Sequence, residues 1–352
     1  MSIFSSALRA RLFALLLFLS SVLGSAFFVP EILTASAQEA SFPVTVTDQI
    51  GREVTIETEP QTLVSGYYIS TSLLVTLGLT DRLVGIEAKA DSRPIYSLAA
   101  PTLLELPSVG TAKEFDLEGC AALQPDLVIV PAKLKDQIPA MEELGLTVLA
   151  VRPEDETALL DAVKLLGAAT GTQEKADELQ SYYTTQLESL SETLAGCETP
   201  SVYMAGVGSV LRAAGSGMYQ DTLITRAGGV NAAAELTDSS WADISYEQLL
   251  AWNPDVILLA AESEYTVNDV LNDENLASLT AVSNQAVYRI PDAFEAWDSP
   301  VPGCILGTLW TASTLHPELY APETFQAEVT DFYETFYGFT PDLTSLTEAY
   351  AS

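Results

Sequence analysis

The sequence predicts an α/β protein of two Rossmann-like lobes bridged by one long α-helix. Three observations predict it. Short apolar runs alternate with helical segments along most of the 352 residues, the pattern of βα units and a largely parallel sheet. One such unit recurs later in the chain with the same acid, Pro-Asp turn and apolar run. Between the copies lies a polar-faced helical stretch long enough to cross from one lobe to the other.

The first 37 residues read as an export signal rather than as fold. Arg9 and Arg11 form a positive start, Leu12 to Leu23 is apolar, and Ala35-Ser36-Ala37 supplies small residues before Gln38. The alternative is an uncleaved anchor, since apolar residues continue through Phe27, Phe28 and Val29. Ser20, Ser21, Gly24 and Ser25 dilute that span, so cleavage is the expectation. No Cys lies near the apolar region, so a lipid anchor on an N-terminal Cys is not expected. The mature protein is placed outside the cytoplasmic membrane.

The N-terminal lobe is expected over 38–154. Phe42 to Glu57 alternates around Gln49-Ile50-Gly51-Arg52, a β-hairpin pattern. Leu63–Gly66, Leu83–Ile86, Leu127–Val130 and Thr147–Val151 read as buried strands. Helices are expected from about Ser70 to Leu77 and from Lys135 to Leu144. The bridging segment, 155–199, breaks at Gly171. After Thr172, an expected N-cap, Ala176, Leu179, Tyr183, Leu187, Leu190 and Leu194 recur at helical spacing. About 23 residues of helix would span roughly 35 Å. The C-terminal lobe, 200–352, resumes with strands at Val202–Ala205, Val256–Ala260 and Val287–Ile290, and a helix begins near Cys304.

The echo runs from Glu118 to Val130 and again from Glu247 to Leu259. Glu118/Glu247, Ala122/Ala251, Pro125/Pro254 and Asp126/Asp255 are identical. Each copy is a helix opened by an acid, a Pro-Asp turn and a buried strand.

Composition narrows the function. Lys and Arg number 15 against 48 Asp and Glu, a formal charge of −33. That balance excludes nucleic acid and anionic lipid surfaces as partners, both of which need a basic face. A single His, His316, excludes sites built from several histidines, and in its Leu-His-Pro turn a structural role is expected. Cys120, Cys197 and Cys304 fit no metal-knuckle or CxxC pattern. They read as small buried thiols, with one bridging pair as the alternative in an oxidising compartment.

Thr47-Asp48 with Gly51-Arg52, the run from Leu77 to Ile86 and the two Pro-Asp strands resemble the class III substrate-binding proteins of ABC importers. So do Ala227–Asn231, Trp241–Glu247 and Val287–Pro291. The motifs recur in the family's order over nearly all of residues 42–340. The resemblance implies two lobes bridged by a long helix, with the ligand in the cleft between them. It implies a monomeric carrier for metal chelates, such as ferric siderophores, haem or cobalamin, with a permease dimer and its ATPase as partners. In similar proteins one glutamate per lobe docks on permease arginines, and Glu118 and Glu247 fall at those places. Acids also favour helix N-termini through the helix dipole, by about 0.3–1 kcal/mol. Two acids at equivalent positions match a two-fold partner better than one would.

Ligands of open α/β sheets lie off the carboxyl ends of the strands. The loops there offer Tyr67, Tyr68, Lys113, Glu114 and Lys133 in the first lobe. In the second they offer Arg212, Trp241, Tyr265 and Trp297. Aromatic rings would meet a macrocycle or catecholate, and Lys or Arg would pair with ligand anions. Tyr68, Arg212 and Trp297 lead this set. A ferric siderophore or related iron complex is the leading ligand, with haem or a corrinoid as alternatives. Bare Zn²⁺ or Mn²⁺ is disfavoured by the single His. A secreted enzyme on a chelatase-like fold is the competing class, but the chain has no GxSxG, P-loop, HExxH or cysteine cluster. No catalytic residue, metal ligand or cofactor is assigned.

Overall fold

The computed structural model describes residues 42–344 and Leu346. The expected export signal lies outside the described residues. The chain opens with the antiparallel hairpin β1 (Val44–Thr47) and β2 (Glu53–Ile56). Buried Asp48 closes its turn, accepting the Arg52 amide at 2.8 Å and pairing with the Arg52 guanidinium at 3.0 Å. The hairpin is tied to the first lobe by Gln49, whose amide donates to the Ala150 carbonyl at 3.0 Å.

The first lobe is built from β3 (Leu63–Ser65), α1 (Tyr68–Thr76), β4 (Leu83–Gly85), α2 (Pro94–Ala99), α3 (Leu117–Ala122), β5 (Leu127–Pro131), α4 (Ile138–Glu143) and β6 (Val148–Val151). Its sheet runs β4-β3-β5-β6, all parallel. β5 and β6 are buried throughout, as expected of apolar runs covered on both faces. The chain leaves β3 towards β4 on one side and later returns to pair β5 on the other. That reversal places a crevice at the carboxyl ends of β3 and β5.

The expected long bridging helix is present, preceded by a shorter one across the break at Gly171. α5 (Glu156–Thr170), capped by Asp155, turns at Gly171 into α6 (Gln173–Thr193). Thr172 does not cap α6 through its side chain. Its hydroxyl is instead 2.9 Å from that of Thr170. The buried positions of α6, Ala176, Leu179, Tyr183 and Leu190, fall on the predicted stripe. Tyr183 reaches the second lobe, donating to the Pro302 carbonyl at 2.7 Å.

The second lobe contains β7 (Ser201–Gly206), β8 (Ser209–Ala213), α7 (Tyr219–Arg226), β9 (Val230–Asn231), β10 (Ala242–Asp243), α8 (Tyr246–Trp252), β11 (Val256–Leu259), α9 (Val267–Leu271), α10 (Thr280–Ser283) and β12 (Val287–Arg289). Two further helices follow, α11 (Cys304–Leu315) and α12 (Pro322–Phe336). β7, β11 and β12 are parallel, while β8 returns antiparallel beside β7. The order is β10-β8-β7-β11-β12, with β9 also on β7. Again the first strand of the lobe lies at a reversal point.

The sequence echo has a direct structural meaning. Asp126 accepts the amides of Gln61 and Thr62 at 2.8 and 2.9 Å, clasping the start of β3. Asp255 accepts the Ser201 amide at 2.9 Å at the start of β7. In both lobes a Pro-Asp turn locks the neighbouring strand by hydrogen bonds to an ionised acceptor, the stronger kind. The outer face of each sheet has its own apolar cluster, and one continuous core joins the inner faces through α5, α6, α11 and α12. The cysteines are free. Cys120 and Cys304 are buried and Cys197 is half-buried. His316 is buried, with Nε2 3.3 Å from the Gly228 carbonyl oxygen.

Candidate ligand cleft

A cavity of about 770 Å³ opens between the lobes, walled on one side by Tyr67 and Tyr68. On the other side it is walled by Ser216-Gly217 and Asp298-Ser299-Pro300, and Glu154–Glu156 at the head of α5 form its floor. A smaller space of about 230 Å³ continues from Tyr68 past Arg93 to Glu262 and Phe294.

The tyrosines stand where β3 gives way to α1, and a buried polar network fixes that junction. The Ser70 hydroxyl donates to the Tyr67 carbonyl at 2.8 Å. The Thr71 hydroxyl donates to Glu87 at 2.6 Å, and the Tyr96 hydroxyl to the other Glu87 oxygen at 2.7 Å. Tyr96 also lies 3.2 Å from the Tyr68 carbonyl oxygen. Burial pushes the Glu87 carboxyl up from its usual range, against the hydrogen bonds from Thr71 and Tyr96. The two rings meet edge to face with centroids 5.2 Å apart. The Arg93 guanidinium lies 4.1 Å from the centre of the Tyr68 ring and 3.8 Å from Glu262 of the second lobe. One cation thus links the two walls.

Opposite, the Asp298 carboxylate accepts the Ala261 amide at 3.2 Å, and Gln220 donates to the Asp298 carbonyl at 2.8 Å. Burial raises the Asp298 carboxyl to about 6 despite that amide. Glu156 pairs with Arg226 of α7 at 2.7 Å. Burial raises its carboxyl too, and Arg226 opposes the shift.

The remaining predicted residues are placed as follows. Trp297 is 1% exposed and points away from the cavity, its indole N–H donating to the Tyr333 hydroxyl at 3.0 Å. It packs against Phe294 and Phe325 in an aromatic cluster beneath the wall. An indole with a satisfied N–H and apolar neighbours on both sides is core, so the expectation of a ligand-facing Trp297 is replaced by neighbouring Asp298. Lys113, Glu114 and Lys133 are exposed, and none lines either space.

Arg212, Trp241 and Tyr265 are brought together around Gly206, at the carboxyl end of β7, but outside both spaces. The Tyr265 hydroxyl donates to the Gly206 carbonyl at 2.8 Å, and Arg212 lies 3.6 Å from Asp243. A side chain at Gly206 would come within 2.9 Å of the Trp241 ring, so the glycine is what admits that ring. Glu118 and Glu247 are exposed in the first turns of α3 and α8, beside the capping residues Asp116 and Ser245. Hydrogen bonds from its own amide and from Ser245 lower the Glu247 carboxyl.

Sequence reasoning missed Arg93, Asp298 and the acids at the head of α5. Arg93 follows the strand at Leu83–Gly85, so a search of every strand end would have reached it. Among the described residues, no three His, Cys, Asp or Glu are grouped to hold a metal ion.

Comparison with known proteins identifies the family and the fold. The family model for periplasmic binding proteins matches residues 63–294. The molybdate-binding protein MolA of Haemophilus influenzae is 27% identical, over 83% of this chain and 90% of its own length. The vitamin B12-binding protein of Salmonella typhimurium is 26% identical, over 55% of this chain and 70% of its own. The solved structure of MolA bound to molybdate superposes with a TM-score of 0.74 at 25% identity, covering 85% of this chain and 99% of that one. With the family matched across both lobes, the chain belongs to the periplasmic binding proteins and has their class III fold.

Proposed function

We propose that the protein is the extracytoplasmic substrate-binding component of an ABC importer. It captures a metal chelate between its lobes, a ferric siderophore or related iron complex first, and delivers it to a permease dimer with its ATPase. The observation that carries this reading is the interlobe cavity of about 770 Å³ with two tyrosines on one wall. Its size is that of a site for a whole organic ligand, many times the bulk of a four-oxygen anion. A metal that arrives already chelated needs surface, shape and a few polar groups from the protein, and the tyrosine wall supplies the first two.

Tyr67 and Tyr68 are the ligand-facing aromatics in this reading, and Trp297 positions Asp298 from behind. Glu118 and Glu247 are the docking acids, one on each lobe. A corrinoid is the second reading, favoured by the relative named as a vitamin B12-binding protein. Native mass spectrometry of protein purified from its host tests the proposal. A retained mass that carries iron supports the first reading and one that carries cobalt the second. Retained molybdate would overturn both.

A further inference from the structure

The two guanidinium groups that line the cleft differ in what holds them. Arg226 is anchored to Glu156 at 2.7 Å. Arg93 is held by a ring instead, 4.1 Å from the centre of Tyr68, and stands 3.8 Å from Glu262, a separation longer than a hydrogen bond. Among the described residues its guanidinium makes no hydrogen bond. Yet the side chain is only 34% exposed. A guanidinium carries five N–H donors in a planar fork, and donors drawn partly out of water favour any acceptor that enters beside them. Stacking on a tyrosine covers the face of that fork and leaves its donor edge free.

The place of the fork matters as much as its freedom. Arg93 lines the space of about 230 Å³, and Tyr68 and Ser299 line both that space and the larger one. The two spaces therefore meet at the tyrosine that carries the guanidinium. A chelate lying on the tyrosine wall of the larger space has its rim at this junction. Two of the three acids of the smaller space are engaged elsewhere. Asp292 pairs with Arg289 at 3.0 Å, and Glu295 accepts the Tyr337 hydroxyl at 2.8 Å. Glu262 is the remaining competitor for Arg93, and at 62% exposed its hold on the guanidinium contributes little.

We propose that Arg93 is a specificity-determining residue of the cleft. It donates paired N–H groups to two neighbouring acceptor oxygens on the rim of the chelate, such as those of a hydroxamate or a carboxylate, while the Tyr68 ring holds the guanidinium in plane. The inference rests on the reading of the cavity as a chelate site. The arginine that meets the ligand is then Arg93 rather than Arg212, which lies outside both spaces. The contact depends on the fork and its plane, so lysine, a point charge on a flexible stem, does not replace it.

The test is calorimetric titration of the chain from Gln38 onward with a ferric trishydroxamate, a ferric triscatecholate and cyanocobalamin. Every probe that the wild type binds is repeated on the variants, with urea midpoints measured alongside. Arg93→Gln and Arg93→Lys should each lose about tenfold or more in affinity, with little change in midpoint. Glu262→Gln separates a contact with the ligand from a link between the walls. If Arg93 acts on the ligand, this variant binds at least as tightly as the wild type, because the competing acid is gone. A Glu262→Gln variant that loses as much affinity as Arg93→Gln overturns the inference, since the link between the lobes would then be what matters. Arg93→Lys binding like the wild type overturns it too, since charge alone would then suffice. Both results leave the chelate reading standing. A folded wild type that binds none of the three probes overturns the chelate reading, and this inference with it.

Discussion

The two lobes begin alike and then diverge. Each starts with a parallel strand clasped by a Pro-Asp turn, and each ends that strand at a glycine covered by an aromatic ring. Phe115 lies over Gly66 in the first lobe and Trp241 over Gly206 in the second. Beyond the glycine the first lobe enters α1 at once, which sets Tyr67 and Tyr68 on the cleft. The second instead makes a tight return into antiparallel β8. The position matching the tyrosines is thereby lost, and later loops must build that wall from Ser216-Gly217 and Asp298-Ser299-Pro300. The difference shows how one repeated frame supplies an aromatic wall and an acidic wall to a single cleft.

The comparison breaks most severely at Trp297, because the acidic wall depends on the core behind it. Trp297→Ala should cost about 3–5 kcal/mol, read as a lower midpoint in urea. Binding should weaken as well, because Asp298 loses its support. A loss of affinity with unchanged stability would return Trp297 to the ligand surface.

The region behind the acidic wall carries a pH dependence. Burial raises the Glu295 carboxyl to about 7, against a hydrogen bond from Tyr337. Between the ordinary glutamate value and about 7, the native state therefore binds more protons than the unfolded one. The stability this group contributes is complete below that window and is lost as pH rises through it, on the order of 3 kcal/mol. Asp298, raised to about 6, acts in the same direction at lower pH. Urea midpoints measured from pH 5.5 to 8 should fall as pH rises, and Glu295→Gln should flatten that slope. A midpoint that rises with pH would contradict the placement of Glu295.

A smaller effect is expected where the walls meet. Arg93→Ala removes the cation between Tyr68 and Glu262, yet the lobes share one core and should not splay. Scattering profiles of wild type and variant should superpose, with only a modest change on ligand addition. A large closure would argue against the continuous core. The smallest effect on folding is expected at the exposed acids. Glu118→Ala and Glu247→Ala should leave urea midpoints and ligand affinity nearly unchanged, while uptake into reconstituted vesicles falls for each and further for the pair. Normal uptake by the double variant would reduce the echoed acids to helix-terminus chemistry.

Much of this frame was legible in the sequence because buried parallel strands are short apolar runs, and those runs mark β3, β5, β6, β7 and β11 within a residue or two. β8 was not legible. Its residues are half-exposed and follow β7 after a Val207-Gly208 turn, so no apolar run separates them. In the cleft, Tyr67 and Tyr68 could be read from their place directly after β3. Trp297 and Asp298 could not be told apart, since both lie in one loop and sequence does not say which neighbour faces in. The sequence predicts a surface aromatic there, but packing against α12 buries it, and the acid beside it lines the cavity.

The central claim is that the ligand lies between the lobes against the tyrosine wall. Calorimetric titration of a ferric chelate that the wild type binds, repeated on Tyr67→Ala/Tyr68→Ala with the urea midpoint measured alongside, tests it most directly. Affinity should fall at least tenfold while the midpoint moves little, since both rings are only partly covered. Unchanged affinity in a folded double variant would place the ligand elsewhere.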